Sequence, residues 1–404
     1  MNAGSAQCCI VGGGPGGMML GFLLARAGVA TVVLEKHGDF LRDFRGDTVH
    51  PSTLTVMDEL GLLDEFLKLP HQEVSRFSAQ FGEERVEFAD FSHLPVRSRF
   101  IALMPQWDFL NFLADQGRRY PGFTVLMNAE ATGLIEEAGR TVGVRAIVEG
   151  QPREIRADLV VGADGRHSTV RAAAALAVKV LGAPMDVLWF RVSRQPSDPA
   201  ETMGRFDPGS ILVMLERGEY WQCAYVIAKG SADAVKGEGI ERFRARIAAL
   251  MPFLGDRLAE LRTVDDLKLL TVGVERLERW WKPGLLCIGD AAHTMSPIGG
   301  VGVNIAVQDA VAAANILAAP LKGRRLRDAD LEAVQARRQW PVRATQAIQI
   351  FMQNRMIAPT LAGSRSPRPP LAIQLLAWFP LLRRLPARVL GLGVQPEHVR
   401  TGVA

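Results

Sequence analysis

The sequence predicts an α/β fold: a Rossmann-like dinucleotide-binding domain, an inserted antiparallel-sheet domain for the substrate, and a C-terminal helical segment. Three observations predict it. Residues 7–35 read as strand, glycine turn, helix and second strand. Residues 285–319 repeat the order strand, glycine loop, helix almost a whole chain later. Between them, at 74–91 and 209–230, the apolar period switches to two, the mark of antiparallel hairpins. The expected division is discontinuous: 1–73, 98–178 and 270–355 for nucleotide binding, 74–97 and 179–269 for the sheet, and 356–404 for the tail.

The first element is QCCIVGGGPGGMMLGFLLARAGVATVVLEKH. Gln7–Val11 is a short buried strand, Met18–Ala27 an apolar helix ended by Gly28, and Thr31–Leu34 the second strand. Gly12 permits the tight turn, Gly14 lets backbone approach a pyrophosphate, and Gly17 lets helix pack close to strand. Pro15 and Gly16 complete the loop, whose helix N-terminus offers N–H groups and a positive dipole end to phosphate. Glu35 stands at the end of the second strand, placed for ribose hydroxyls, with Lys36 beside it. A carboxylate there disfavours a 2′-phosphate, so the nucleotide is FAD or NAD rather than NADP.

The hairpin segments come next. VSRFSAQFGEERVEFADF turns at GEE, and GSILVMLERGEYWQCAYVIAKG turns near ERGE. In the second, Trp221, Cys223 and Tyr225 share one face while Tyr220, Gln222 and Ala224 take the other. An aromatic stripe of this kind reads first as core. Between the hairpins, ADLVVGADGRHSTVRAA places Asp164-Gly165 at a strand end, with a helix starting at Ser168.

The late loop reads LLCIGDAAHTMSPIGGVGVNIAVQDA. Leu285–Ile288 are strand-like, so Gly289 and Asp290 emerge at the carboxyl end of a parallel sheet, where such sheets bind ligands. The Asp290 carboxylate suits polyol hydroxyls. Pro297, Gly299, Gly300, Val301, Gly302, Val303 and Asn304 then bring bare backbone against something flat or anionic, ahead of a helix over 305–319. A reduced isoalloxazine, negative near N1, fits that dipole.

Composition narrows the class. The 404 residues are 48% apolar and 22% charged, an ordinary globular balance of two to three domains. The net charge of +4 is mild and reads as spread along the chain, which argues against a nucleic-acid partner. Cys8, Cys9, Cys223 and Cys287 lack metal-ligand spacing and point to a reducing, cytoplasmic context with no metal site. The apolar stretch 10–34 is interrupted by glycines, so neither a signal peptide nor a transmembrane span is expected. In the tail, prolines 380 and 386 would break 371–393 into short helices. Packing on the body or on a partner subunit is preferred there to a membrane surface, and a second copy of the chain is a candidate partner.

Three ordered motifs, GxGxxG at 12–17, GADGRHSTVR, and IGDAAHTMSPIGGVGVN, resemble the signatures of class A flavoprotein monooxygenases, the para-hydroxybenzoate-hydroxylase-like fold, over about residues 5–320. The resemblance implies that one extended FAD spans both glycine loops. It also implies contacts from Arg45, Gln106 and Asp164, with Arg166 near a nicotinamide. NADH or NADPH would visit as a transient co-substrate, and O₂ would be activated as a flavin hydroperoxide that hydroxylates an aromatic or polyketide-like small molecule. Val301 departs from a glutamine common in such loops, which leaves only the backbone role. His50 and His293 are the histidines nearest the motifs and hence the candidate bases, and the Pro297 carbonyl is placed to touch substrate. A double-bond reductase, an epoxidase, a halogenase and a redox sensor releasing H₂O₂ share the scaffold. The chain lacks the WxWxIP signature of flavin halogenases.

Overall fold

Cys8, Cys9 and Ile10 are fully buried, which puts the first strand at the centre of the molecule. The computed structural model describes residues 5–41, 48–199, 202–363, 369 and 371–404. Strand β1 (Ser5–Val11) leads through the glycine turn into α1 (Pro15–Arg26) and then β2 (Thr31–Leu34). Pro15 sits at the first helical position, where its missing N–H costs nothing and its fixed φ suits the helix. A two-residue strand, β3 (Thr48–Val49), precedes α2 (Pro51–Glu59), and β4 (Arg76–Phe81) and β5 (Glu84–Asp90) form the first hairpin.

Then follow α3 (Gln106–Gly117), β6 (Phe123–Leu126), β7 (Gln151–Gly162) and the short α4 (Thr169–Ala173). Strands β8 (Met185–Ser193), β9 (Met203–Asp207), β10 (Ser210–Glu216) and β11 (Tyr220–Ala228) come next, covered by α5 (Ile240–Leu250). The chain returns through β12 (Leu285–Cys287) to two long helices, α6 (Gly302–Lys322) and α7 (Asp328–Met352). It ends with the short helices α8 (Leu371–Trp378) and α9 (Arg384–Gly391).

The parallel core runs β12-β7-β1-β2-β6, with an antiparallel meander on the first half of β7. Helices α1 and α6 pack against each other on it. The stretch from Ile298 to Lys322 is long and apolar enough to cross a bilayer, yet 78% of its apolar window is buried, as in a core helix.

The second sheet has seven strands and joins the two predicted hairpins through β8-β11-β10-β9-β4-β5. The pair joining the two hairpins, β9 with β4, is parallel where an antiparallel sheet was expected. The first hairpin joins this sheet through its leading strand, β4, with β5 left at the edge. Trp221, Cys223 and Tyr225 do pack as core, under Phe243 and Ile247 of α5. The opposite face, with Trp189, Val213 and Ala224, turns toward Ile298 in the late glycine loop.

In the tail the chain breaks at Pro380, which opens a 3₁₀ turn, but not at Pro386. Pro386 lies in the first turn of α9, where a missing N–H breaks no intrahelical bond.

Candidate functional site

The carboxyl ends of β1, β2, β7 and β12 lie along one edge of the parallel sheet, and each carries one of the singled-out motifs. Gly12 takes φ +108°, and a Cβ on it would stand 2.4 Å from the Ala163 carbonyl oxygen. A Cβ on Gly17 would stand 2.0 Å from the Gly12 carbonyl oxygen, so helix and turn touch backbone to backbone. Gly14 is different. Its φ of −76° is ordinary, and nothing lies within 4 Å of where its Cβ would be. The turn is therefore closed on the protein side and open at its mouth, where the first-turn N–H groups of α1 point.

Glu35 is buried, with one oxygen accepting from the Gly13 N–H at 3.1 Å and the other from the His37 N–H at 3.0 Å. Its carboxylate is thereby fixed against the glycine turn, and Lys36 beside it is exposed.

The two glycine loops meet. A Cβ on Gly16 would touch the Ala306 carbonyl oxygen at 3.2 Å, and one on Gly289 would touch the Ala306 methyl at 3.1 Å. Asp290 follows in a 3₁₀ turn, Gly289–Ala291. Beyond it, Gly299 and Gly300 both take left-handed φ, +78° and +63°, which folds the loop back on itself ahead of α6. Gly302 starts that helix with open space beside it, while Val301 is buried in the main core rather than facing the site. Pro297 is half-buried at the start of the turn, and Val303 is buried.

Several side chains hold this loop in place. Thr48 Oγ1 donates to the Gly300 carbonyl at 2.7 Å. Asn304 Oδ1 accepts from the His50 N–H at 2.8 Å and from Thr53 Oγ1 at 2.7 Å, and its Nδ2 donates to the Thr48 carbonyl at 3.0 Å. Asn304 is thus a clamp between α6 and the start of α2. Gln349 on α7 accepts from the Ser296 N–H at 3.0 Å and donates to the carbonyls of Ser296 and Ile298, each at 2.9 Å. Gln346, one turn earlier, donates to the Thr294 carbonyl at 3.0 Å and to the Glu275 carbonyl at 2.9 Å.

A buried charge network lies under the Gly289-Asp290 turn. Asp309 accepts from the Gly289 N–H at 3.0 Å, from Arg338 Nε at 2.9 Å, and pairs with His293 Nε2 at 2.6 Å. Arg338 also meets Glu397 at 3.3 Å. Burial pushes the Asp309 carboxyl up, but His293 and Arg338 outweigh it and hold it below the usual carboxylate range.

The remaining expected residues fall as follows. His50 is fully buried, its Nδ1 2.8 Å from the Leu390 carbonyl of α9, and burial pushes its pKa down to about 4. Its Nε2 is buried without a partner. His293 is buried on Asp309, so neither candidate base presents an exposed ring nitrogen. Asp164 accepts from Ser168 Oγ at 2.5 Å and from the Val170 N–H at 3.2 Å, which ties it to the start of α4, and burial raises its carboxyl. Arg166 donates to the Thr271 carbonyl at 2.9 Å. Gln106 is half-buried as the first residue of α3. Arg45 lies outside the described residues. No cluster of metal-ligating side chains occurs among the described residues.

Asp309, Arg338, Gln346 and Gln349 were not singled out from sequence, although a signal for them exists. An aspartate inside an alanine-rich apolar helix demands a buried partner. The run QAIQIFMQ places glutamines 346, 349 and 353 three and four apart on one helical face, and all three are buried.

A closed-floored, open-mouthed cradle, two facing helix N-termini and a fixed carboxylate at the second strand fit an extended dinucleotide. Its ADP half would lie on the first loop and its flavin half on the second.

Comparison with known proteins agrees. A family model described as FAD binding domain matches residues 5–348. The chain is 32% identical over 402 residues to the 6-methylpretetramide 4-monooxygenase of Streptomyces rimosus, covering 97% of this chain and 94% of that protein. It is 29% identical to the rifampicin monooxygenase of Streptomyces venezuelae, covering 78% of this chain and 64% of that longer protein. In three dimensions it resembles a probable FAD-dependent monooxygenase from Pseudomonas aeruginosa, with a TM-score of 0.75 at 22% identity, covering 89% of this chain and 98% of that one.

Proposed function

The chain belongs to the FAD-binding-domain family and is an FAD-dependent monooxygenase, and from that premise we propose that it hydroxylates a polycyclic aromatic or polyketide-like ring at the expense of NADH or NADPH. One oxygen atom of O₂ enters the substrate and the other leaves as water, with two electrons from the nicotinamide. When bound, FAD supplies the redox chemistry that links the two. The observation that carries the proposal is the convergence of both glycine loops on Ala306, with the late loop facing the second sheet.

The protein's own residues orient the reactants and exclude water. Gly14 and the first turn of α1 would bind the pyrophosphate, Glu35 and Asp290 would hold the polyol hydroxyls, and the N-terminus of α6 would stabilise the reduced flavin. Gln346, Gln349, Asn304 and Thr48 fix the loop between them. His50 acts by bracing the start of α2 against the Leu390 carbonyl of α9 rather than by exchanging protons, and Pro297 borders the substrate. The sheet face bearing Trp189, Val213 and Ala224 forms the opposite wall. There Trp189 contributes a buried indole N–H with no partner, a donor suited to a ring carbonyl or phenol. Four buried, unpaired cysteines support a reducing, cytoplasmic location.

The test is anaerobic reduction of the bound flavin by NADH and by NADPH, followed at the visible flavin band with a panel of phenols and polycyclic quinols. Acceleration by one compound class by orders of magnitude supports substrate-gated hydroxylation. Reduction at one slow rate with every compound defeats it.

A further inference from the structure

The tail carries an apolar surface that the flavin chemistry does not use. In α8, Ile373 and Ala377 pack against Phe81 and Val86 of the first hairpin. The other side of that helix turns Leu371 and Trp378 outward, 75% and 69% exposed, with Leu375 between them at helical spacing. The 3₁₀ turn after it adds Leu381, 70% exposed. In α9, Ala387 and Gly391 face inward, Gly391 against Phe91 and Leu94. Leu385 and Val389 project from the opposite side, bordered by the exposed Arg384 and Arg388.

The layout is built rather than frayed. Arg383 donates to the Leu376 carbonyl at 2.9 Å and meets Glu87 at 3.2 Å, which stitches the turn to the hairpin.

Charge identifies what covers this surface. The net charge reads as spread when the chain is taken whole, but residues 333–396 hold no aspartate, glutamate or lysine, and while Arg337, Arg338 and Arg383 of that stretch are paired with Glu397, Asp309 and Glu87, Arg384 and Arg388 stand exposed beside the apolar side chains. A second copy docking here face to face would oppose arginines to arginines. An anionic bilayer would accept the aliphatic and aromatic side chains and attract the guanidinium groups around them. Among the described residues, neither Arg384 nor Arg388 meets a carboxylate.

We propose that α8, the 3₁₀ turn and α9 form a peripheral docking surface for an anionic lipid bilayer. The surface adjoins the late glycine loop. Leu390 of α9 would lie 2.7 Å from a Cβ on Gly299, and its carbonyl holds His50. Docking therefore brings the flavin site close to the lipid and to apolar substrates dissolved in it.

The test is flotation of the flavin-loaded protein with vesicles of phosphatidylcholine alone or mixed with phosphatidylglycerol at roughly three to one. Anionic vesicles should carry roughly tenfold more protein than neutral ones, and raised salt should reduce the difference. Trp378→Asp with Leu381→Asp should abolish flotation, and Arg384→Glu with Arg388→Glu should remove its lipid-charge dependence. Both variants should keep full flavin content and an unchanged visible spectrum, which shows the fold intact. No flotation on anionic vesicles at low salt overturns the proposal, as does flotation unchanged in the aspartate variant. A wild-type dimer that the aspartate variant converts to monomer, with no vesicle binding by either, overturns it in favour of a second copy.

Discussion

Substituting Gly14 by alanine separates the cofactor role of the first loop from its structural role. The backbone at Gly14 has φ −76° and ψ −178°, a conformation any residue adopts, and no protein atom lies within 4 Å of the added methyl. The fold should therefore keep its stability, or gain about 0.4–1 kcal/mol from a stiffer unfolded chain. The methyl enters the space left for the pyrophosphate. Displacing two charge-assisted backbone hydrogen bonds, each about 1.5–3 kcal/mol, lowers FAD affinity roughly a hundredfold or more. Gly17→Ala is the contrasting control. Its Cβ would stand 2.0 Å from a backbone oxygen that cannot move cheaply, so it should cost about 1–3 kcal/mol of stability or more. Denaturant unfolding of the apoprotein and fluorescence titration with FAD read the two effects apart. If Gly14→Ala binds FAD with wild-type affinity, the pyrophosphate does not lie against this turn. If it unfolds instead, the open space beside Gly14 is wrong.

Other residues give equally direct expectations. Asp309→Asn takes the buried carboxylate from His293 and leaves Arg338 with Glu397 alone, and should destabilise the fold by about 3–5 kcal/mol, seen as a lower denaturant midpoint. Folded His50 resists protonation down to about pH 4, whereas the unfolded ring takes a proton near 6.5. Stability contributed above pH 6.5 should thus drain away between 6.5 and about 4, by roughly 3 kcal/mol. His50→Asn should flatten that part of the stability profile, and an unaltered slope would place the acid sensitivity elsewhere. Gln349→Leu removes three buried hydrogen bonds to the late loop and should cost about 2–3 kcal/mol together with weaker flavin retention. Flavin content of the purified variant, with midpoint unfolding, checks it.

The first loop and the order of the motifs were legible because glycine spacing, strand periodicity and a terminal carboxylate are local features. Gly12, Gly14, Gly17 and Glu35 lie within one βαβ unit, and their geometry follows from their neighbours in sequence. The clamp on the late loop was not legible in the same way. Thr48, Gln349 and Asp309 act on residues 252, 53 and 20 positions away, and only the folded sheet says which carbonyl each glutamine or threonine meets. Periodicity placed Trp221 and Tyr225 on one face of a strand but could not say what lay above it. Helix α5, supplied by a later segment, decided that this face was core. The same holds for His50, which a motif-adjacent position marks as a candidate base and a fully buried ring turns into a brace.

The parallel join in the second sheet bears on how the molecule opens. The first hairpin is tied to the rest of that sheet through four paired positions, Ser78 to Phe81 against Met203 to Phe206, and one stacked ring pair, Phe81 with Phe206 at 4.8 Å. Its partner strand arrives more than a hundred residues later, so this pairing forms late and carries a high loop-closure cost. The hairpin should accordingly exchange its amide hydrogens before the rest of the sheet, by local release that leaves β8, β10 and β11 paired. Because α8 rests on the same hairpin, whatever presses on that helix also sets how often this corner of the molecule lets go.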